Sequence, residues 1–227
     1  MIGLQAAVQE HPNNSCCWSF LARLCAEDYA LWISGNERLI DEALSFARKG
    51  VQLSPTDQRA RGTLGYVYLL HDQIREARHE AEAALALNPN SLFVLEGIGY
   101  LLTLTGDWER GPELSRKAIR LNPFHLPVVH AGLWLEALRR KDFEEAYWQS
   151  LEFSPPEVFW HPLMQAVPLA FLGRGEEAAD QAAQILKLKP DFLERSCWLI
   201  RRFVKFDELV ERVEEGLGRA GLQLQRT

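Results

Sequence analysis

The sequence predicts an all-α fold, a right-handed helical-repeat solenoid of antiparallel helix pairs. Three observations predict it. Residues 59–123 superpose on themselves at an offset of 34, with Gly65 on Gly99, Ala84 on Ala118, Asn88 on Asn122 and Pro89 on Pro123. Small residues recur where the two helices of a pair must approach each other: Gly65 and Gly99 on the first helix, Ala77, Ala84 and Ala118 on the second. A glycine inside a helix costs roughly 1 kcal/mol against alanine, so its recurrence in register points to a partner backbone lying close by. Pro89 and Pro123 close each pair, because proline lacks an N–H and cannot continue a helix. A unit of this size cannot bury its apolar face alone, so successive units stack into a running core.

Taken in order, residues 1–14 form a half repeat. Leu4, Ala7 and Val8 share one helical face, and Ala7 precedes Pro12 as Ala84 precedes Pro89. This segment therefore reads as a second helix without its first, and the chain is expected to be a piece of a longer protein. A native capping helix is the alternative. Residues 15–57 are an enlarged unit. Trp18-x-x-Leu21-Ala22-x-x-Cys25 opens it, Asp41-Glu42-Ala43 starts its second helix, and Pro55 lies 43 residues after Pro12. The surplus falls around Glu27 to Glu37, with a turn signal at Ser34-Gly35-Asn36. Tyr29, Leu31, Trp32 and Ile33 are too apolar for a free loop and are expected to extend the first helix and pack back.

Residues 58–91 and 92–125 are the two regular units. Residues 126–158 are irregular: Leu133-x-x-x-Ala137 and Asp142-Phe143-x-x-Ala146 suggest a pair, Pro155-Pro156 ends it early, and Trp134 stands near a position expected to be small. Its register is open by a residue or two. Residues 159–192 recover the pattern through Ala166, Gly173, Ala178, Ala182 and Pro190. Pro162 falls in a first turn, where it is tolerated, and Pro168 should kink the helix. Residues 193–227 supply capping helices: one running from Phe192 through Trp198, then an amphipathic one with Leu209, Val210, Val213 and Leu217 inward and Glu208, Glu211, Glu214 and Glu215 outward, ending at Gly218 to Gly221. Gln223 to Thr227 are expected to fray.

Leu64-Gly65-x-x-Tyr68, Ala77, Ala84 and Pro89, followed by Ile98-Gly99-x-x-Leu102, Gly111, Ala118 and Pro123, resemble the tetratricopeptide repeat (TPR) pattern. The closing residues add a narrower likeness. Pro190-Asp191-Phe192, Phe203, Glu208 and Gly216-Leu217-x-Arg219-Ala220-Gly221-Leu222 resemble the end of the TPR regions that follow class III adenylate cyclase domains in bacteria, and related tails follow winged-helix regulators. The enlarged first unit is similar to one found there too. The resemblance implies a protein–protein interaction scaffold or regulatory module attached to an upstream signalling domain. No cyclase residue carries over, since that domain would lie upstream of Met1.

The resemblance also implies a concave surface lined by the first helix of each unit. It places Tyr66, Leu70, Glu96, Tyr100 and Thr103 there, followed by His130, Trp134, Trp160, Met164, Val167 and Phe171. An aromatic, apolar lining suits an apolar peptide or helix. The Lys and Asn pattern by which some repeats clamp a peptide carboxylate is not visible. The competing reading of each ring is burial against the next repeat, and for Trp134 and Phe171 it is the stronger one. Two other functions stay open: a small-molecule sensor with a pocket between Trp134, Trp160 and Phe171, and a homodimerisation module.

Composition bounds the partners. The 227 residues carry a net charge of −6 and are 47% hydrophobic. No long basic run exists, which argues against nucleic acid. Arg201, Arg202 and Lys205 form the densest basic cluster and read as a solvated helix end. No long apolar run or signal-peptide pattern argues for a membrane. The four cysteines show no C-x-x-C pair and no histidine at ligand spacing, so buried free thiols in the reducing cytoplasm are expected. No cofactor, metal or catalytic constellation is expected, and the chain does not read as an enzyme. His79-Glu80 lacks a second histidine, Gly97-x-Gly99 lacks a third glycine, and His125 and His130, five apart, would face different sides of one helix. Glu144-Glu145 and Glu176-Glu177 start second helices, where the helix dipole favours acids.

Overall fold

A computed structural model describes residues 2–153 and 156–224, and among them every regular element is helical. The chain divides into two compact units, Met1–Leu114 and Ser115–Thr227. The first holds α1 (Ile2–Glu10), α2 (Ser15–Leu31), α3 (Leu39–Leu53), α4 (Gln58–Leu70) and α5 (Ile74–Leu87). A π-helical turn at Val94–Ile98 then runs into α6 (Gly99–Leu104), and α7 (Arg110–Leu121) begins in this unit and ends in the next. The second holds α8 (Val128–Arg140), α9 (Phe143–Glu152), α10 (Trp160–Phe171), α11 (Gly175–Leu188), α12 (Phe192–Phe203) and α13 (Asp207–Arg219).

One local rule starts three of the first helices. The residue two after each unit-closing proline caps the next helix. Asn14 accepts from the N–H groups of Cys16 and Cys17, Asp57 from Arg59 and Ala60, and Ser91 Oγ from Val94. Such side chains satisfy N–H groups that a helix start leaves unpaired. At the next unit the corresponding residue is His125, which is no N-cap, and Pro127 follows it. The helix accordingly starts late, at Val128, with no side-chain cap.

Within the first unit the small residues lie where the partner helices close in. A Cβ on Gly65 would sit 3.1 Å from the Ala77 carbonyl oxygen, and one on Gly111 would sit 2.8 Å from the Gly99 carbonyl oxygen. Ala77 and Ala84 are fully buried. A charged knot holds the start of α7. Asp107 accepts from the Arg110 backbone N–H at 3.0 Å and from Arg78 Nη2 at 3.0 Å, while Arg110 also pairs with Glu82. Burial works against the Asp107 carboxylate, but the bonds from Arg110 outweigh it and hold its pKa below the usual range.

The surplus of the enlarged unit is shared between α2, which has 17 residues against 13 in α4, and the turn after it, which spans 32–38 against 71–73. Trp32 closes the helix in the left-handed conformation (φ 53°), and its backbone N–H reaches the Tyr29 carbonyl. Asp28 then accepts from the Ser34 backbone and hydroxyl at 2.8 and 2.7 Å. This turn throws Ile33 outward, where it is 70% exposed rather than packed back.

In the second unit α10 runs on through the buried Pro168. On α13, Leu209, Val210, Val213 and Leu217 are buried and Glu208, Glu211 and Glu215 exposed. The basic cluster is only partly a solvated end: Arg202 is buried with its guanidinium 4.6 Å over the Trp198 ring, while Arg201 stays partly in solvent and pairs with Asp207 at 2.8 Å. None of the four cysteines forms a disulfide. Cys25 is buried, and burial pushes its thiol up to about 11, whereas Cys16 is exposed, unlike the buried state expected of it. Pro155, the expected end of the irregular unit, and 225–227 of the fraying tail lie outside the described residues. No helix among the described residues is long and apolar enough to cross a membrane.

Candidate partner-binding face

The repeat register itself builds the site. Tyr100 lies 34 residues after Tyr66, and Arg23 lies 43 before it, which is the length of the enlarged unit. The three therefore occupy one position, directly after the small residue at 22, 65 or 99, on three successive first helices of the first unit. The structure brings two of them into contact: the Arg23 guanidinium sits 4.0 Å over the Tyr66 ring. A cation in that place is attracted by the ring's negative face.

Glu27, one turn along α2 from Arg23, completes the cluster. Its carboxylate lies 2.6 Å from Arg23 Nη2 and accepts the Tyr66 hydroxyl proton at 3.2 Å. Burial raises both tyrosine pKa values, and the Glu27 charge raises them further, so Tyr66 and Tyr100 stay neutral donors at any physiological pH. Burial works against the Arg23 charge, but Glu27 and Tyr66 outweigh it and the guanidinium is held cationic. The Arg23 side chain keeps 44% of its surface in solvent, and Tyr100 is half-buried, while Tyr66 is 4% exposed. A partner can therefore touch Arg23 and the outer part of Tyr100, with Tyr66 as the floor beneath Arg23.

The other expected residues of this unit lie deeper. Leu70 is core, and Glu96 is buried within the π-helical turn. Thr103 is fully buried, its hydroxyl donating to the Gly99 carbonyl at 3.0 Å. In the second unit Trp134 is buried and donates from Nε1 to the Met164 carbonyl at 2.9 Å; Met164 and Val167 are buried too. Trp160 is buried edge-on to Phe203, with centroids 5.4 Å apart. Phe171 is half-buried, stacked on Phe143 at 4.3 Å with Arg219 over it at 4.6 Å.

His130 is also buried, and here the structure corrects the sequence reading. His125 lies in the turn before α8, so the two histidines are not on one helix, and their Nε2 atoms meet at 2.8 Å. Arg23 and Glu27 were missed although the signal was present: the offset that links Ala22 to Gly65 links Arg23 to Tyr66 as well.

No known protein-family profile matches the chain, and neither does any curated protein. Solved structures do. The APC/C hetero-tetramer Cut9–Hcn1 matches with a TM-score of 0.66 at 15% identity, over 97% of this chain and 43% of that one. Pseudomonas aeruginosa pilF matches with a TM-score of 0.57 at 19% identity, over 89% and 90% of the two chains. A tetratricopeptide repeat protein from Parabacteroides merdae matches with a TM-score of 0.52 at 15% identity, over 96% and 89%. At these identities the likeness speaks to fold. The chain has the all-α helical-repeat fold of TPR proteins.

Proposed function

We propose that this chain is a protein–protein interaction module that takes an apolar peptide or helix along the first helices of its N-terminal unit. The observation that carries this reading is the row Arg23, Tyr66 and Tyr100 at one repeat position. Its outer members offer a cation and a ring face, and rigid aromatic and arginine side chains are the residues that most often anchor protein interfaces. Glu27 holds Arg23 in place beforehand, which lowers the ordering cost of binding. On this reading, apolar partner side chains lie on Tyr100, and a carbonyl or carboxylate of the partner meets the exposed side of Arg23. Attachment to an upstream signalling domain is the further part of the proposal. It is supported by the resemblance of the closing residues and tested by reading the gene upstream of Met1.

The binding test is a phage-displayed peptide library panned on the full chain, followed by affinities for the enriched peptide. Tyr100→Ala should weaken it by about 2 kcal/mol, roughly 30-fold, while Trp148→Ala, an exposed ring on α9, should leave it unchanged. Circular dichroism confirms that each variant is folded. An enriched peptide indifferent to both Tyr100→Ala and Arg23→Ala removes the row from the interface.

A further inference from the structure

Within the second unit a chain of hydrogen bonds runs from α9 to the turn at 122–127. Each link has its donor fixed by chemistry. Glu145 is a carboxylate, so the amide nitrogen of Gln149 must donate to it (2.8 Å). That orientation turns the Gln149 carbonyl oxygen toward His130 Nδ1 at 2.7 Å, and Nδ1 must carry a proton to meet it. At the other end His125 Nδ1 lies 2.9 Å from the Asn122 carbonyl oxygen, so it too must carry a proton.

A neutral imidazole has one N–H. With both protons committed to Nδ1, two neutral rings would point their Nε2 lone pairs at each other across 2.8 Å. That contact repels. One additional proton turns it into an N–H···N bond at ordinary hydrogen-bond length; two additional protons would set N–H against N–H. We propose that His125 and His130 hold a single shared proton between their Nε2 atoms, and that this cationic pair latches the turn at 122–127 onto α8 and lets go when the pair gains a second proton or loses the first.

The surroundings agree. His125 is half-exposed, and His130 is buried. Burial favours the neutral form of His130, and the charge on His125 adds to that, so the proton resides on His125 and His130 accepts it. Glu152 and Glu145 on α9 are the acids on the His130 side. Of the cations packed against α8, Arg116 of α7 pairs with Glu136 and Arg212 of α13 with the Leu138 carbonyl. A zinc ion is the rival occupant of the gap. At Zn–N distances of about 2.0–2.1 Å and tetrahedral angles it would hold the two nitrogens about 3.3 Å apart, farther than they lie. The latched turn carries Phe124, which is 91% exposed, and the exposed Leu126, so the proton state governs how an apolar tip is presented.

The test is a pH titration of the full chain, labelled with nitrogen-15 at histidine, following two-bond imidazole correlations. At pH 7 one ring of the pair should show both nitrogens protonated and the other a neutral Nδ1–H tautomer. The pair should lose its shared proton and gain its second one in two separate steps, both rings reporting the same two. His125→Asn should abolish the upper step and leave His130 with a single one. Two neutral rings at pH 7 would overturn the proposal. So would equimolar zinc displacing the shared proton at pH 7, which would make the pair a metal site instead.

Discussion

Arg212 shows how one side chain closes an element to which it does not belong. Its Nη1 donates to the Leu138 carbonyl at 2.7 Å and the Arg139 carbonyl at 3.4 Å, and its Nη2 reaches Glu208 at 2.7 Å. The last carbonyls of a helix have no partner within it, and a cation there also meets the negative end of the helix dipole. Arg212 is buried, so water cannot simply take its place. The Leu138 carbonyl also accepts the Lys141 backbone N–H at 3.0 Å, so Arg212→Ala should cost about 1.5–3 kcal/mol, the worth of a hydrogen bond from a charged group rather than of an orphaned carbonyl. In urea titrations the midpoint should drop with the slope unchanged. Arg212→Lys should recover only part of the loss, because an ammonium lacks the guanidinium fork that spans both carbonyls and the acid. A loss below about 0.5 kcal/mol would mean the end of α8 is satisfied by other means.

At the scale of elements, the helix pairs divide the glycines into two kinds. A Cβ on Gly111 would meet Thr103 Oγ1 at 2.4 Å and two backbone atoms, Thr103 N and the Gly99 oxygen, at 2.6 and 2.8 Å. Backbone cannot step aside, so α7 must lift from α6. Gly218, exposed on α13, has nothing within 4 Å. Gly111→Ala should therefore destabilise by about 1–3 kcal/mol, and Gly218→Ala should stabilise by about 0.5–1 kcal/mol through helix propensity. Thermal melts of the two variants against the parent should move in opposite directions; movement in the same direction would undo the packing argument. The same physics decides what was legible in the sequence. Close approach of two helices demands small residues at fixed spacing, so Gly65, Gly99 and Ala84 announced the pairing. Arg23 was legible only by carrying the register through an insertion. The meeting of His125 and His130 was not legible, because it depends on where α8 begins, and a missing N-cap together with Pro127 sets that. The depth of Thr103 and Glu96 was hidden too: a first helix shows similar residues toward the groove and toward the next repeat.

For the molecule as a whole, acid should act in two separate windows. His130 and the half-buried His161 both have pKa values lowered by burial. His161 uses Nε2 as an acceptor toward the Gln165 amide at 2.9 Å, which protonation would abolish. A histidine whose folded pKa lies below its unfolded value near 6.5 binds fewer protons when folded, so its stabilising share is complete above about pH 6.5. That share is lost as the pH falls through the folded value. Asp107 has the same sign in a lower window: its pKa is depressed by Arg110, so its share is complete above the usual carboxylate value of about 3.9 and disappears below it. The melting temperature should fall between pH 6.5 and 5, and fall again below pH 4. The two limbs separate by mutation. His130→Asn with His161→Gln should flatten the first limb and spare the second. Asp107→Asn should do the reverse, because the amide cannot titrate, although it lowers the whole curve by weakening the hold of Arg78 and Arg110. If the first limb persists in the double histidine variant, the acid sensitivity belongs to groups other than these two rings.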